Sequence, residues 1–256
     1  MSATQLVNTS LTRSLRRSPT LFKLARSGVY TTRALYGRTV GLALRPIQVR
    51  YYLKRHDVRG LHLGCASNRL PGWLNTDAFP RHLNVVYLDA TGHYRLPDNA
   101  FDFVYSEHMI EHVPLSAAQA MLTEAYRVLR PGGVVRVATP DLEKLLALKK
   151  ADIGEVERKY IADVIEWVMP DAVVRNFCTY LNIFVREWDH TFIYDRATLA
   201  ALIERVGYSD VIACEVGTSR HPELRGIEHH GQEVGEAANQ IETMVLEARK
   251  PGSRLR

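Results

Sequence analysis

The stretch Arg59-Gly-Leu-His-Leu-Gly-Cys-Ala-Ser-Asn68, continued by Leu70-Pro-Gly-Trp-Leu-Asn-Thr-Asp77, sets the fold class. A short apolar run stops at a glycine turn, and the next stops at an aspartate. Two parallel strands deliver polar groups to one edge of a sheet in this way. The pattern recurs downstream: Asn84-Val-Val-Tyr-Leu88 ends at Asp89, and Phe101-Asp-Phe-Val-Tyr105 ends at Ser106-Glu-His108. Ser116 to Leu129 then places Ala120, Met121, Ala125, Val128 and Leu129 at helical spacing, and Arg130-Pro-Gly-Gly133 breaks that helix before a strand at Val134–Ala138. The segment 141–189 reads as a mainly helical insertion. Asp195 caps a helix over 196–206 that Gly207 closes, and strands follow near Asp210–Val216 and Glu242–Glu247. The expectation is an α/β protein: a Rossmann-like, mostly parallel seven-stranded sheet with flanking helices.

The 256 residues suffice for one large domain with additions, and the composition, 46% hydrophobic and 24% charged, excludes collagen-like and wholly disordered classes. Three widely spaced cysteines, Cys65, Cys178 and Cys214, indicate neither a disulfide framework nor a cysteine-built zinc site, and suggest a reducing compartment. No apolar stretch reaches the length of a membrane-spanning helix. The net charge of +5 is uneven: residues 1–56 hold 11 Lys and Arg and no acid, whereas residues 57–256 are net acidic. The organisation expected is a basic N-terminal extension over 1–56, partly helical near Pro46–Arg55 or disordered. A body over 57–250 carries the insertion, and a tail covers 251–256. The extension is a candidate for contact with an anionic membrane or for a mitochondrial transit sequence, and equally for a plain tail. Nucleic acid is disfavoured as a partner, because the acidic body repels a long polyanion. The localisation expected is cytoplasmic, with membrane association or the mitochondrial matrix as the alternatives the extension leaves open.

Ligands of an open α/β sheet bind at the carboxyl ends of its strands. Here those ends read Gly64, Asp77, Asp89 and Ser106-Glu107. A dinucleotide wants several glycines around its pyrophosphate, and the first turn has one, which argues against a nicotinamide oxidoreductase. A nucleoside without phosphates needs one glycine for close approach, a carboxylate for the ribose hydroxyls and another for the adenine amino group. Gly64, Asp77 and Asp89 fit those roles in order, and S-adenosylmethionine is such a ligand.

The runs His62–Asn68, Leu70–Asp77, Leu96-Pro-Asp-Asn-Ala-Phe-Asp-Phe-Val-Tyr105, Glu111-His112 and Glu124-Ala-Tyr-Arg-Val-Leu-Arg-Pro-Gly-Gly133 together resemble the class I S-adenosylmethionine-dependent methyltransferases over residues 57–140. Where that family usually carries G-x-G, this chain has Gly64-Cys65-Ala66, and alanine disfavours positive φ. The resemblance implies methyl transfer, with Gly64, Cys65, Ala66, Asp77, Asp89, Ala90, Ser106 and Glu107 around the cofactor. It also implies a small-molecule or glycan acceptor, with O-methylation of a saccharide or glycolipid as the preferred reading. A non-catalytic cofactor-binding or scaffold protein of the same fold is the alternative.

An in-line methyl transfer needs a base only where the acceptor is a hydroxyl or a protonated amine, and His190 and His108 are the catalytic candidates by intrinsic pKa. His190 lies among Trp188, Phe192 and Tyr194, while His108 follows the fourth strand. His108-Met-Ile-Glu-His112 matches the inverted zinc-peptidase motif, yet Pro114 interrupts the helix that motif requires, so no metal site is expected. Glu228-His229-His230 reads as a solvated loop more than as an acceptor contact.

Overall fold

Valine, leucine and phenylalanine runs stack side by side in the chain's middle because both of their faces are apolar. The computed structural model describes residues 28, 31, 32, 35, 37–150 and 152–252. Strand β1 (Gly60–Leu63) is buried along its whole length, and so are the first six residues of β4 (Phe101–Glu107), as parallel strands covered on both faces must be. With β2 (Trp73–Asp77), β3 (Val86–Tyr87), β5 (Leu129–Pro140), β6 (Ser209–Cys214) and β7 (Thr243–Arg249) they form one sheet in the order β3-β2-β1-β4-β5-β7-β6. β3, β2, β1, β4 and β5 pair in parallel, and β7 runs antiparallel to both β5 and β6. The expected seven-stranded, mostly parallel architecture is therefore present. Register fixes what shares an edge: Leu63 lies opposite Ser106, and Glu107 opposite Ala138, so β1, β4 and β5 end together.

Two local expectations are corrected. Arg130-Pro-Gly-Gly133 is not a turn ahead of a strand but the irregular start of β5. Leu129 already pairs with Phe101, and the register shifts before Val134 meets Phe103. A Cβ at Gly133 would come 2.9 Å from the Asp102 carbonyl oxygen, so only glycine lets the two backbones approach there. In the preceding helix α2 (Leu115–Val128), after α1 (Leu42–Arg55), the core face is Ala118, Met121, Leu122, Ala125 and Val128, and Ala120 faces solvent. The stripe is rotated because Leu129 belongs to β5.

The basic extension is described only in part. Residues 1–27 and 253–256 lie outside the described residues, and with them most of what was expected of the extension and the tail. Where it is described, α1 buries Val49 and Tyr52 on the body, and the Tyr52 hydroxyl accepts from the Gly60 amide at 2.9 Å. Among the described residues no helix is long and apolar enough to cross a membrane.

The helical segment folds as α3 (Leu142–Ala147), α4 (Glu155–Val168) and α5 (Phe177–Arg186), around a second apolar cluster that includes Leu145, Tyr160, Ile165, Tyr180 and Phe184. Asp141 and Tyr194 form an isolated parallel bridge, so the chain leaves and rejoins the sheet at one place, beside the end of β5. Helix α6 (Arg196–Val206) starts as expected, with the Asp195 carboxylate accepting from the Thr198 amide at 2.7 Å, and stops at Gly207 with φ 112°. Two short helices, α7 (Gly231–Val234) and α8 (Glu236–Glu242), lead into β7.

Candidate active site

The turn after β1 is held by the acid after β2. Ala66 stands at φ 45°, and its amide donates to Asp77 Oδ2 at 2.8 Å. Asp77 Oδ1 accepts from the Phe79 amide at 2.6 Å. Asp77 thus fixes the loop from one side and keeps further lone pairs for a ligand. Gly64, at φ 67°, is approached by Met109, whose Cγ would stand 2.5 Å from an added Cβ, so any side chain at this position would collide with the β4 loop. Cys65 is buried, and burial, with the Asp77 charge, pushes its thiol up to about 12, so it stays protonated. Asp89 is exposed after β3, closing a turn by accepting from the Thr91 amide and hydroxyl at 2.9 and 2.6 Å, and Ala90 is buried beneath. Ser106 is buried at the end of β4, opposite the residue before Gly64, and its hydroxyl has no partner among the described residues. A buried orphan hydroxyl next to a glycine turn and two carboxylates fits a polar, phosphate-free nucleoside ligand.

Glu107 is anchored by the chain itself. Its Oε1 accepts from the amides of His229 and His230 at 2.8 and 2.9 Å, and Oε2 from Asn68 Nδ2 at 3.3 Å. It clamps the 217–230 loop to the first turn. The same loop is tied from below by Arg136, wholly buried in β5. Its Nε donates to Glu228 Oε1 at 2.5 Å and its Nη1 to Glu247 Oε1 at 2.5 Å and to the Thr218 carbonyl at 2.9 Å. Glu228-His229-His230 is accordingly not a solvated loop, because Glu228 compensates a buried guanidinium and His230 stacks on His108 with ring centroids 3.7 Å apart. A signal for this was present in the sequence: an arginine inside Val134-Val-Arg-Val-Ala138 and a glutamate inside Val245-Leu-Glu-Ala248, which prove to be direct cross-strand partners.

The histidines gather over the ends of β4 and β5. The Thr243 hydroxyl gives its proton to Asn239 Oδ1 at 2.7 Å, so it can only accept from His108 Nε2, 2.9 Å away. His108 Nδ1 lies 3.3 Å from Glu111 Oε1. Burial lowers the His108 pKa, but the Glu111 contact and the charges of Glu242 and Glu107 outweigh it and raise the value above that of an ordinary imidazole. Both nitrogens are therefore donors, and His108 has no lone pair for a substrate. His190 is the opposite case. Its Nδ1 sits 2.6 Å from the Phe184 carbonyl oxygen, which can only accept, so in the neutral ring Nε2 carries the lone pair. Burial holds His190 below the ordinary imidazole value despite the Glu111 charge. His108 and His112 do not share a helical face: His108 has φ 43°, and only the 3-10 turn Ile110–His112 follows.

Glu111, fully buried, is the hub that sequence reasoning left without a role. Its backbone carbonyl accepts from the amides of Thr191 and Phe192 at 2.8 and 3.1 Å, which brings the His190 segment over the sheet. Its Oε2 accepts from Thr139 at the end of β5 at 2.9 Å. Burial would raise its pKa, but chiefly the His108 contact and charge, with His112 beside it, hold the carboxyl at about 2.

Residues 41–137 match the family model described as a methyltransferase domain. No curated protein sequence matches the chain. Among solved structures it is similar to phosphoethanolamine N-methyltransferase 2 of Haemonchus contortus (15% identity, 80% of this chain, TM-score 0.39), and it spans about half that protein's length, 52%. It is also similar to a SAM-dependent methyltransferase of Archaeoglobus fulgidus (18% identity, 83% of this chain and 94% of that one, TM-score 0.45). A third likeness is to a Thermotoga maritima protein described as a possible histamine N-methyltransferase (16%, 87% and 99%, TM-score 0.44). The family match spans residues 41–137, less than half of the chain.

Proposed function

We infer that the protein methylates an oxygen of a hydroxyl-bearing acceptor of the saccharide or glycolipid class. The observation that carries this reading is the His190 ring, kept neutral with its Nε2 lone pair available at the same sheet edge as Asp77 and Ser106. A hydroxyl must lose a proton as its oxygen bonds to carbon, whereas a neutral amine need not do so beforehand. When bound, S-adenosylmethionine supplies a methyl group activated by its sulfonium. In this reading Gly64, Cys65 and Ala66 form the floor beneath the ligand, and Asp77 accepts from the ribose hydroxyls. Asp89 accepts from the adenine amino group, Ala90 lies under the ring, and Ser106 donates to the ligand. Glu107 keeps the 217–230 loop in place beside the ligand. His190 Nε2 accepts a hydrogen bond from the acceptor hydroxyl, aligns the oxygen and takes its proton. His108, with both nitrogens donating, holds Glu111 and Thr243 in place.

The test is formation of S-adenosylhomocysteine with a panel of saccharides, glycolipids and amines, using the intact protein and His190→Asn. Product from a hydroxyl acceptor is expected, with turnover about 10²–10⁴-fold lower in the variant at unchanged cofactor affinity. Methylation of amines alone would overturn the acceptor class.

A further inference from the structure

We propose that Glu111, His112 and His190 form a binding site for one divalent transition-metal ion. One carboxylate oxygen of Glu111 and one ring nitrogen from each histidine lie within 4.8 Å of one another, and the His112 and His190 ring centroids are 4.9 Å apart. Metal–ligand bonds of about 2.0–2.2 Å ask such donors to close in only slightly around an ion.

Glu111 is 0% exposed, and among the described residues its Oε1 makes no hydrogen bond of full geometry, the His108 ring nitrogen facing it as a long ionic contact at 3.3 Å. A buried carboxylate oxygen met by one long ionic contact keeps lone pairs open, and a further cation can take them. The Tyr194 hydroxyl is also buried and without a partner among the described residues, in the field of the Glu111 charge.

The surroundings are those of oriented ligands. His190 donates Nδ1–H to a backbone carbonyl, which presents Nε2 as the ligand atom, and Glu111 is steadied through its second oxygen by Thr139. Two imidazoles with one carboxylate suit zinc, manganese, iron or cobalt better than magnesium or calcium, and three protein donors leave coordination positions open. A second cluster, His108, His230 and Glu242, also has its donor atoms close together, but it is already closed upon itself. His230 Nε2 bonds Glu242 Oε1 at 2.6 Å, the Tyr160 hydroxyl bonds the other oxygen, and His108 has no lone pair.

The role of the ion, though not its site, rests on the hydroxyl-acceptor reading. In the metal-free chain the Nε2 lone pair of His190 serves the acceptor. With the ion bound it serves the ion, whose open position takes the acceptor oxygen and makes its proton acidic enough to leave to water.

The full chain, stripped with a chelator, is dialysed against Zn²⁺, Mn²⁺ or Co²⁺, and bound metal is counted by mass spectrometry, with the Co²⁺ absorption spectrum as a second readout. About one ion per chain is expected, retained in His230→Asn and bound about tenfold or more weakly in His112→Ala and in His190→Ala. S-adenosylhomocysteine affinity and circular dichroism should stay at the intact protein's values in both, which separates loss of a ligand from loss of fold. Absence of a stoichiometric ion, or binding that His112→Ala leaves unchanged, overturns the site. Stoichiometric binding with no effect on turnover of a hydroxyl acceptor overturns the role and leaves the methyl-transfer reading standing.

Discussion

Replacing Arg136 with methionine tests how the 217–230 loop is held. The guanidinium is wholly buried, and the side chains of its partners Glu228 and Glu247 are 1% and 3% exposed. Methionine keeps the apolar stem but leaves two carboxylates facing each other without a cation. Among the described residues Glu247 Oε2 has no hydrogen-bond partner even with the arginine present, and Glu228 then keeps the Gly217 amide at 3.0 Å. Breaking a buried ion pair by removing one partner costs about 3–5 kcal/mol. At about 2–4 °C per kcal/mol for a domain of this size, the thermal midpoint should fall by roughly 6–20 °C. Because the loop supplies the two amides that Glu107 accepts, S-adenosylhomocysteine affinity should fall with it. Adding Glu228→Gln and Glu247→Gln should return much of the stability by removing the unpaired charges, which mere loss of packing would not allow. The assays are differential scanning calorimetry and isothermal titration. A midpoint within about 2 °C of the intact protein would refute the reasoning, since it would mean that the carboxylates reach water without the arginine.

Asp77→Ala removes the acceptor for the Ala66 and Phe79 amides and, in the proposed reading, for the ribose, so calorimetry should show cofactor binding weaker by about 1–3 kcal/mol. Ala66→Gly relieves a left-handed alanine at φ 45°, a strain of about 1–2 kcal/mol, against about 0.4–1 kcal/mol of added unfolded-state entropy. Its thermal midpoint should rise by about 2 °C. The Glu124 carboxyl is held at about 2, chiefly by Arg127, against burial and with help from the Tyr94 amide and His93. A carboxyl depressed in the folded state contributes stability above its unfolded value of 4.5 and loses it as pH falls towards about 2. The stability difference between the intact protein and Glu124→Gln, measured by urea unfolding across that window, should shrink towards the acid end.

Much of the strand order was readable because a strand that ends in a polar residue announces both its length and its open edge. Gly64, Asp77, Asp89 and Ser106 stood out in the sequence for that reason, and the sheet brings the strands that carry them to one edge. Boundaries were less legible where tertiary pairing overrides local chemistry: Arg130-Pro-Gly-Gly133 has the composition of a turn, yet its backbone is drawn into β5 by Phe101 and Asp102.

The sequence by itself determined the periodicities, the uneven charge and the residues that end each strand, because these follow from the pleat and helix repeats of neighbouring residues. Only the tertiary structure decided what the histidines can do. His108 and His190 are alike as letters and opposite as chemistry. One has its Nε2 turned to donate by Thr243, which is 135 positions away, and its Nδ1 turned to the Glu111 carboxylate, while the other is left a free lone pair by the Phe184 carbonyl. Tautomer and charge depend on partners that the chain brings together across the sheet, and so does the balance that turns Glu111 from one more acid near a helix start into a buried anion at the centre of the site.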